Sequence, residues 1–304
     1  MFPQRQWNST ILPTPQPRLF CFGLGYSATR LARSLIADGW AVGGTCRSAD
    51  AVDQLRDHGI DAHLFDGETA MAQIDAALAG TTHLLNSIPP GDDGDPVLAL
   101  HGADLIAVAG LQWAGYFSTT GVYGDTDGDW VDETSLVAPS GIRAQRRVDT
   151  ERAWFGLWDG GDAAAHIFRL AGIYGPGRSA LDAARRGAGH RIIKSGHVFS
   201  RIHVDDIAAV LRASMAQPNP GAVYNVCDDA PAASADVTAF ACDLLGIAPP
   251  PEIAFDDADL SPMARSFYAD NRRVRNTRIN DELGVTLAHP DYKSGLRAIL
   301  AAEG

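Results

Sequence analysis

Residues 19–32 read LFCFGLGYSATRLA: an apolar run, two glycines separated by one residue, and the start of an amphipathic stretch. This order predicts a buried strand, a tight turn and a helix. Gly23 suits the turn, Gly25 allows the backbone to approach a pyrophosphate, and Ala28 is small where helix meets strand. A glycine-rich turn that binds nothing is the alternative, which the flanking strand and helix disfavour. The predicted dinucleotide loop consists of Gly23, Leu24, Gly25, Tyr26, Ser27 and Ala28.

The end of the second predicted strand, residues 44–48, contains no acidic residue. NAD enzymes usually place a carboxylate there for the ribose 2′-hydroxyl, whereas NADP enzymes place an arginine near the 2′-phosphate. Arg47 is suited to bind a phosphate through two hydrogen bonds, with Ser48 beside it. We therefore expect NADP as the cofactor, with NAD as the second choice. The alternative for Arg47 is a solvated side chain at a strand end.

Short apolar runs alternate with amphipathic stretches up to about residue 117, which predicts repeated strand–helix units. Connections of this length imply right-handed crossovers and a Rossmann-type, doubly wound parallel sheet of the α/β class. The predicted strands are residues 18–22, 40–46, 60–65, 83–87, 114–118 and 166–170. The predicted helices in this part are residues 28–38, 51–58, 70–78 and 96–111.

After Gly172 the sequence changes to turns, short strands and isolated helices, the last two predicted near 273–283 and 293–301. This change predicts a smaller C-terminal substrate lobe. The expected division is a flexible tail (1–17), a dinucleotide-binding Rossmann domain (18–171, to which 202–228 returns) and the substrate lobe (172–201 and 229–304).

Composition excludes several classes of protein. The 25 basic and 37 acidic residues give a net charge of −12, which disfavours binding to nucleic acid. No apolar run approaches membrane-spanning length, so no membrane association is expected. The four cysteines are widely scattered and form no C-x-x-C pair, so we expect no metal site and a reduced, cytoplasmic environment.

Five segments in this order carry a family resemblance: GLGYSA at 23–28, FSTTGVYGD at 117–125, RLAGIYGPGR at 169–178, RIHVDDIA at 201–208 and YNVCDD at 224–229. The chain resembles the short-chain dehydrogenase/reductases in their extended form, the NAD-dependent epimerase/dehydratase family, and most of all an atypical subset. The resemblance spans roughly residues 18–301. It implies a nicotinamide cofactor and hydride-transfer chemistry.

In this family a Ser/Thr and a Tyr-x-x-x-Lys pair carry out proton transfer, and Thr119 matches the Ser/Thr position, with Ser118 and Thr120 as neighbouring alternatives. The Tyr-x-x-x-Lys pair is missing, because no tyrosine here is followed by lysine four residues later. Counting back from Glu151 places Arg143 at the tyrosine position and Arg147 at the lysine position. Arginine stays protonated and cannot replace tyrosine as an acid and base.

Two interpretations of these arginines stay open. In the first, Arg147 donates a hydrogen bond to the nicotinamide ribose and Arg143 binds an anionic substrate. In the second, Arg143, Arg146 and Arg147 form a solvated helical face paired with Asp149 and Glu151.

The resemblance implies further cofactor contacts. Asp66 and Gly67 match the segment near adenine, Asn86, Ser87 and Ile88 match the segment beside the cofactor ribose, and Ala171, Gly172 and Ile173 match backbone near the nicotinamide. Tyr123, Tyr174 and His203 match structural positions. Sugar-nucleotide members carry arginine where this chain has Phe199, and Arg201 is two residues further on, so nucleotide sugars are less expected.

These observations predict an NAD(P)-dependent oxidoreductase that transfers hydride to or from a small carbonyl or alcohol without the usual pair. One alternative is a non-catalytic NAD(P)-binding regulatory protein, to which the missing pair points. The other is a sugar epimerase or dehydratase. The expected partner is a small-molecule substrate, and the resemblance allows a homodimer.

Overall fold

The computed structural model describes residues 16–158, 164–187 and 190–304. The tail predicted for residues 1–17 lies outside these ranges apart from its last two residues. Pro17 already belongs to the fold, because its carbonyl accepts the N–H of Ala41 over 3.1 Å.

The described residues contain strands and helices in alternation. The strands are β1 (Arg18–Phe22), β2 (Ala41–Cys46), β3 (Asp61–Leu64), β4 (His83–Asn86), β5 (Trp113–Thr119), β6 (Trp130–Val131), β7 (Ala164–Leu170), β8 (Gly172–Tyr174), β9 (Arg191–Ile193), β10 (Arg201–His203), β11 (Val223–Val226), β12 (Glu252–Ala254) and β13 (Arg273–Val274). The helices are α1 (Tyr26–Ala37), α2 (Ala49–Arg56), α3 (Ile74–Leu78), α4 (Pro96–Ile106), α5 (Ile142–Leu157), α6 (Ala180–Arg185), α7 (Val204–Ala216), α8 (Ser234–Leu244), α9 (Pro262–Phe267), α10 (Thr277–Leu283) and α11 (Tyr292–Ala301).

Seven strands form one parallel sheet in the order β11-β7-β5-β4-β1-β2-β3. The six strands predicted from the sequence are all in it, and the predicted doubly wound α/β fold is confirmed. The chain moves outward to β2 and β3 and then crosses back to β4, on the other side of β1. The strand order therefore reverses between β1 and β4, and the crevice at the carboxyl ends of these strands is where such folds bind ligands.

Both faces of the sheet are covered, which explains why its strands are apolar throughout rather than alternating. Residues 19–22 of β1 have no exposed surface. α1 and α7 pack on one face through Leu31 and Leu211, among others. α4 and α5 pack on the other face through Leu105 and Trp154.

Some predicted helix bounds are wrong. α3 begins at Ile74 rather than residue 70, because the Met71 N–H bonds the His101 ring over 3.1 Å instead of entering a helix. The helix predicted near 273–283 begins only at Thr277. Arg273 and Val274 form β13 instead, which pairs with β6 and buries Val274.

Several short strands and three helices form smaller groups outside the main sheet. β8 pairs with β10, β9 pairs with β12, and α6, α8 and α11 enclose a separate apolar cluster that includes Leu181 and Leu296. α10 packs against β11 and α7, next to the main sheet. The division of the chain into two functional domains stays a prediction. No helix in the described ranges is both long and apolar enough to cross a membrane.

Candidate functional site

The turn after β1 requires glycine at residue 23. Its backbone has φ +83°, a conformation that side chains disfavour. A Cβ there would lie 2.8 Å from Ile88 Cγ1 and 2.9 Å from Ser87 Oγ. The Gly23 N–H donates to the hydroxyl of Thr45 over 2.9 Å. The loop is thus held between β2 and the segment after β4.

Gly25 begins α1 and leaves its start open. No side chain caps this helix, and a Cβ on Gly25 would have no atom within 4 Å. The first N–H groups of a helix have no acceptor inside the helix, so those of the following residues are free to bind an anion. Ser27 and Ala28 are buried against the sheet. The start of α1 therefore fits a pyrophosphate group.

The segment after β4 is held by a buried acid. Asn86 donates through Nδ2 to Asp95 over 2.8 Å, and its Oδ1 accepts the N–H of Ile88 over 2.9 Å. Asp95 also accepts the indole N–H of Trp154 over 2.8 Å. Ser87 donates its hydroxyl to the carbonyl of Gly23 over a short hydrogen bond. The predicted residues 86–88 thus lie directly against the dinucleotide loop.

At the end of β2, Arg47 is exposed and forms no hydrogen bond or ion pair with another residue of the described ranges. Ser48 caps α2 by accepting the N–H of Ala51 over 3.3 Å. Asp66, after β3, accepts the N–H groups of Glu68 and Thr69, which lowers the pKa of its carboxyl. Its neighbour Gly67 has φ +86°.

Thr119 is the last residue of β5 and lines a cleft of about 1780 Å³. Its hydroxyl oxygen accepts the N–H of Gly121 over 3.1 Å, which caps the short 3₁₀ turn at Thr120–Tyr123. Because the oxygen accepts this bond, the hydroxyl hydrogen remains available to a substrate oxygen.

Arg147 lies beside this strand end. Its Nη1 donates to the Tyr116 hydroxyl over 3.0 Å and to the Phe117 carbonyl by a short hydrogen bond. Among the residues that the structure describes, none accepts a hydrogen bond from Nε or Nη2, so both remain available. Arg143, one turn earlier on α5, is exposed and forms no hydrogen bond or ion pair within the described ranges, and both arginines line the cleft.

The alternative in which Arg143, Arg146 and Arg147 pair with Asp149 and Glu151 is wrong. Arg146 instead binds Asp92, with Nη1 and Oδ1 2.6 Å apart. Asp149 accepts a hydrogen bond from Gln145 and lies near Arg152.

Glu151 is buried and points into the fold. It binds Arg169 of β7 through two hydrogen bonds of 2.8 and 3.1 Å, and accepts the Ser118 hydroxyl over 2.5 Å. Arg169 also donates to the Tyr123 hydroxyl over 3.0 Å, which in turn donates to Asn225 over 2.7 Å. Sequence reasoning missed this network.

Residues 171–173, whose backbone amides were predicted to lie near the nicotinamide, follow the carboxyl end of β7 and line the cleft. The N–H groups of Ala171 and Gly172 already donate to the carbonyls of Val226 and Ser200, each over 3.1 Å. A cofactor contact at these two residues would therefore use other atoms. For Ile173 the predicted role near the nicotinamide stays open.

Two other titratable residues of the family motifs are occupied structurally. Tyr174 donates to the carbonyl of Asp291 over 3.3 Å, and burial raises its pKa. His203 caps α7 by accepting the N–H of Asp205 over 3.2 Å, and burial lowers its pKa to about 4. Neither is placed to exchange protons with a substrate near neutral pH.

No model of a known protein family matches the chain. Protein YeeZ of Escherichia coli K12 is 28% identical over 277 residues, which cover 88% of this chain and 95% of YeeZ. A conserved protein of unknown function from Silicibacter pomeroyi has a solved structure that is 50% identical, with a TM-score of 0.87, and the match covers 94% of this chain and 99% of that one.

A further solved structure, from Methylobacillus flagellatus and assigned as an NAD-dependent epimerase/dehydratase, is 26% identical with a TM-score of 0.70. That match covers 95% of this chain and 99% of the other. The parallel sheet, the open start of α1 at its switch point and Thr119 at the end of β5 agree with this similarity. The chain is therefore similar in sequence and fold to a protein assigned as an NAD-dependent epimerase/dehydratase.

Proposed function

We propose that this protein binds NADP(H) and transfers hydride to or from a small carbonyl or alcohol substrate in the cleft beside Thr119. The observation that carries the proposal is the open start of α1 at Gly25, at the switch point of the parallel sheet. Free helical N–H groups at that point are suited to a dinucleotide pyrophosphate. The Methylobacillus protein with the same fold is assigned as NAD-dependent, which supports a nicotinamide cofactor.

The chain offers a separate contact for each part of the cofactor. Residues 23–28 would hold the pyrophosphate, and residues 86–88 would lie beside the ribose. Arg47 is exposed and unpaired within the described ranges, so it is available to a 2′-phosphate, and this supports NADP over NAD. When bound, the nicotinamide supplies the two-electron redox chemistry.

The chain's own residues would bind and orient the substrate. Thr119 donates its hydroxyl hydrogen to the substrate oxygen, and Arg147 directs its unused N–H groups toward the nicotinamide ribose. Arginine cannot act as the acid or base, and burial raises the pKa values of Tyr174 and Tyr268 in the cleft wall. Neither tyrosine is therefore suited to act as a base near pH 7, and in this proposal water in the open cleft exchanges the proton that balances hydride transfer.

A non-catalytic, NAD(P)-binding regulatory protein is the second candidate. The observation that favours it is Arg143 and Arg147 on α5 at the positions where the family carries its tyrosine and lysine. A sugar epimerase or dehydratase is the third, and Phe199 in the cleft wall weighs against it.

The test begins with titration of the purified protein with NADPH and NADH, by fluorescence and melting shift, followed by a panel of small carbonyl compounds. We expect tighter binding of NADPH and oxidation of the cofactor by at least one compound. Thr119→Ala should lower turnover by about a hundredfold or more with little change in NADPH affinity.

Thr119→Ser is the matched control, because it keeps the hydroxyl group and should retain most of the activity. Tight NADPH binding without oxidation by any compound would favour the regulatory candidate. Failure to bind either nucleotide would overturn the proposal.

The remaining features of the proposal concern organisation. Residues 18–171 and 202–228 would form the cofactor-binding domain, and residues 172–201 and 229–304 the substrate lobe. All four cysteines are free, buried thiols, which supports a reduced, cytoplasmic environment. The homodimer stays a prediction.

A further inference from the structure

The cleft beside Thr119 is strongly basic, although the whole chain has a net charge of −12. Among the described residues that line it, Asp270 is the single carboxylate. Six arginines line the same cleft: Arg143, Arg147, Arg178, Arg186, Arg201 and Arg272. A cleft lined mainly by positive charges has a strong positive electrostatic potential and attracts anionic ligands.

Most of these charges lack a counter-charge. Asp270 is already paired with Arg272, with Oδ2 and Nη1 3.1 Å apart, and accepts the Ser140 hydroxyl over 2.5 Å. The other five arginines form no ion pair with any carboxylate in the described part of the chain. The guanidinium of Arg178, for example, lies over the ring of Tyr26 at 5.7 Å.

Arg201 is the most enclosed of the five. It lies on β10, where its Nη1 donates to the carbonyls of Phe199 and Ala232 over 2.8 and 2.9 Å. These bonds fix the guanidinium near the ring of Phe199, 5.8 Å from its centroid. Nε and Nη2 have no acceptor among the described residues, so one edge of the guanidinium remains available.

Asp228 is the carboxylate whose charge acts most on Arg201. Asp228 is 1% exposed, one of its carboxyl oxygens has no hydrogen-bond partner, and it forms no ion pair with Arg201. Burial raises the pKa of Asp228 to about 8, against the opposing effect of Arg201. Burial also lowers the pKa of Arg201, because removing its charge from water is costly. A bound anion would relieve this cost.

We propose that the substrate of this cleft carries a carboxylate or phosphate group and that Arg201 binds it through the free edge of its guanidinium. This inference rests on the proposed function and specifies its substrate: a carbonyl or alcohol compound with an anionic end. Phe199, Tyr268 and Tyr292 also line the cleft and give it an aromatic wall on the side of Arg201.

The experiment uses the NADPH-saturated protein at fixed ionic strength and measures the affinities of three probes by calorimetry: succinate, inorganic phosphate and uncharged succinamide. We expect succinate or phosphate to bind and succinamide not to bind. Binding of succinate alone assigns a carboxylate, and binding of phosphate alone assigns a phosphate. Arg201→Gln should weaken the bound anion about ten- to hundredfold.

Arg185→Gln is the matched control, because Arg185 lies outside the cleft and pairs with Glu303 on the surface. It should leave anion affinity unchanged. Arg201→Lys keeps the charge but not the planar pair of donors, so it should give an intermediate affinity and covers the case in which the glutamine variant fails to fold.

Equal binding of succinate and succinamide, or anion affinity that survives Arg201→Gln, would overturn the inference. If the protein binds NADPH but none of the anions, the inference fails while the proposed cofactor function stands. If the protein does not bind NADPH, the proposed function fails first.

Discussion

Arg169 and Glu151 form a two-point ion pair inside the protein, with hydrogen bonds of 2.8 and 3.1 Å, beneath the strand end that carries Thr119. Each side chain is only 6% exposed. Arg169 pairs with Ser118 in the parallel sheet, and Ser118 donates its hydroxyl to Glu151. This pair therefore ties α5, β5 and β7 together where Thr119 and Arg147 face the cleft.

Glu151→Gln should destabilise the protein by about 3–5 kcal/mol, because it leaves the Arg169 charge buried without a counter-charge. Urea unfolding at pH 7 measures the change in free energy. Asp149→Asn, on the exposed side of the same helix, should cost no more than about 0.5 kcal/mol. Similar losses in both variants would show that the buried pair contributes no special stability.

Gly25→Ala should abolish tight dinucleotide binding and leave stability almost unchanged. The backbone there has φ −85°, which alanine adopts freely, and the added methyl group would meet no protein atom within 4 Å. The same methyl group would occupy the space that a pyrophosphate needs. Melting temperature and NADPH affinity, measured together, test this separation.

Gly23→Ala should instead lower both the melting temperature and the NADPH affinity, because the φ of residue 23 is +83° and a Cβ there would lie 2.8 Å from Ile88. Gly156→Ala, within α5 and in open space, serves as the control and should change neither binding nor stability for the worse. Normal NADPH affinity in the Gly25 variant would argue that the cofactor does not bind at the start of α1.

Arg47→Glu should weaken NADPH binding about ten- to hundredfold and leave NADH affinity unchanged, because only NADPH carries the 2′-phosphate. Parallel fluorescence titrations with the two nucleotides measure the ratio. Arg56→Glu reverses a charge on neighbouring α2, where Arg56 lies near Asp53, and should affect both nucleotides equally little. Equal weakening of NADPH and NADH by Arg47→Glu would remove the basis for NADP preference.

Local signals in the sequence were sufficient to predict the main sheet. β1 ends where predicted, because Gly23 must leave the extended conformation, and α4 begins at Pro96 as predicted, whereas α1 begins at Tyr26, two residues before its predicted start. β13 could not be predicted in this way. Its two residues form a strand only by pairing with β6, whose sequence lies more than a hundred residues earlier.

In the candidate site, too, local sequence signals predict some features, whereas contacts between distant residues could not be predicted. Thr119, Arg143 and Arg147 line one cleft, and their roles toward cofactor and substrate stay predictions. Glu151 was expected, in one interpretation, to pair along its own helix, but its partner Arg169 lies on a different element. Whether Arg201 forms an ion pair likewise depends on which carboxylates lie near it in the fold, and the sequence pattern does not predict this.

Because of His83, the free energy of unfolding should decrease as the pH is lowered below neutrality. Its side chain is 4% exposed and lies against Trp40, with ring centroids 4.7 Å apart. Burial lowers its pKa from 6.5 to about 4, so the unfolded chain binds a proton below pH 6.5 that the folded chain refuses until about pH 4. Between these limits His83 should lower the free energy of unfolding by about 1.4 kcal/mol for each unit by which the pH is lowered.

Urea unfolding of the protein and of His83→Gln at pH 7, 6 and 5 isolates this contribution. Because His203 titrates in the same direction and is present in both proteins, only the difference between their pH slopes reports on His83. His58→Gln, at an exposed position on the surface, should keep the original slope. An unchanged pH slope in His83→Gln would contradict this prediction. It would mean that the folded protein binds a proton at His83 as readily as the unfolded chain does, so that packing against Trp40 does not keep the imidazole neutral.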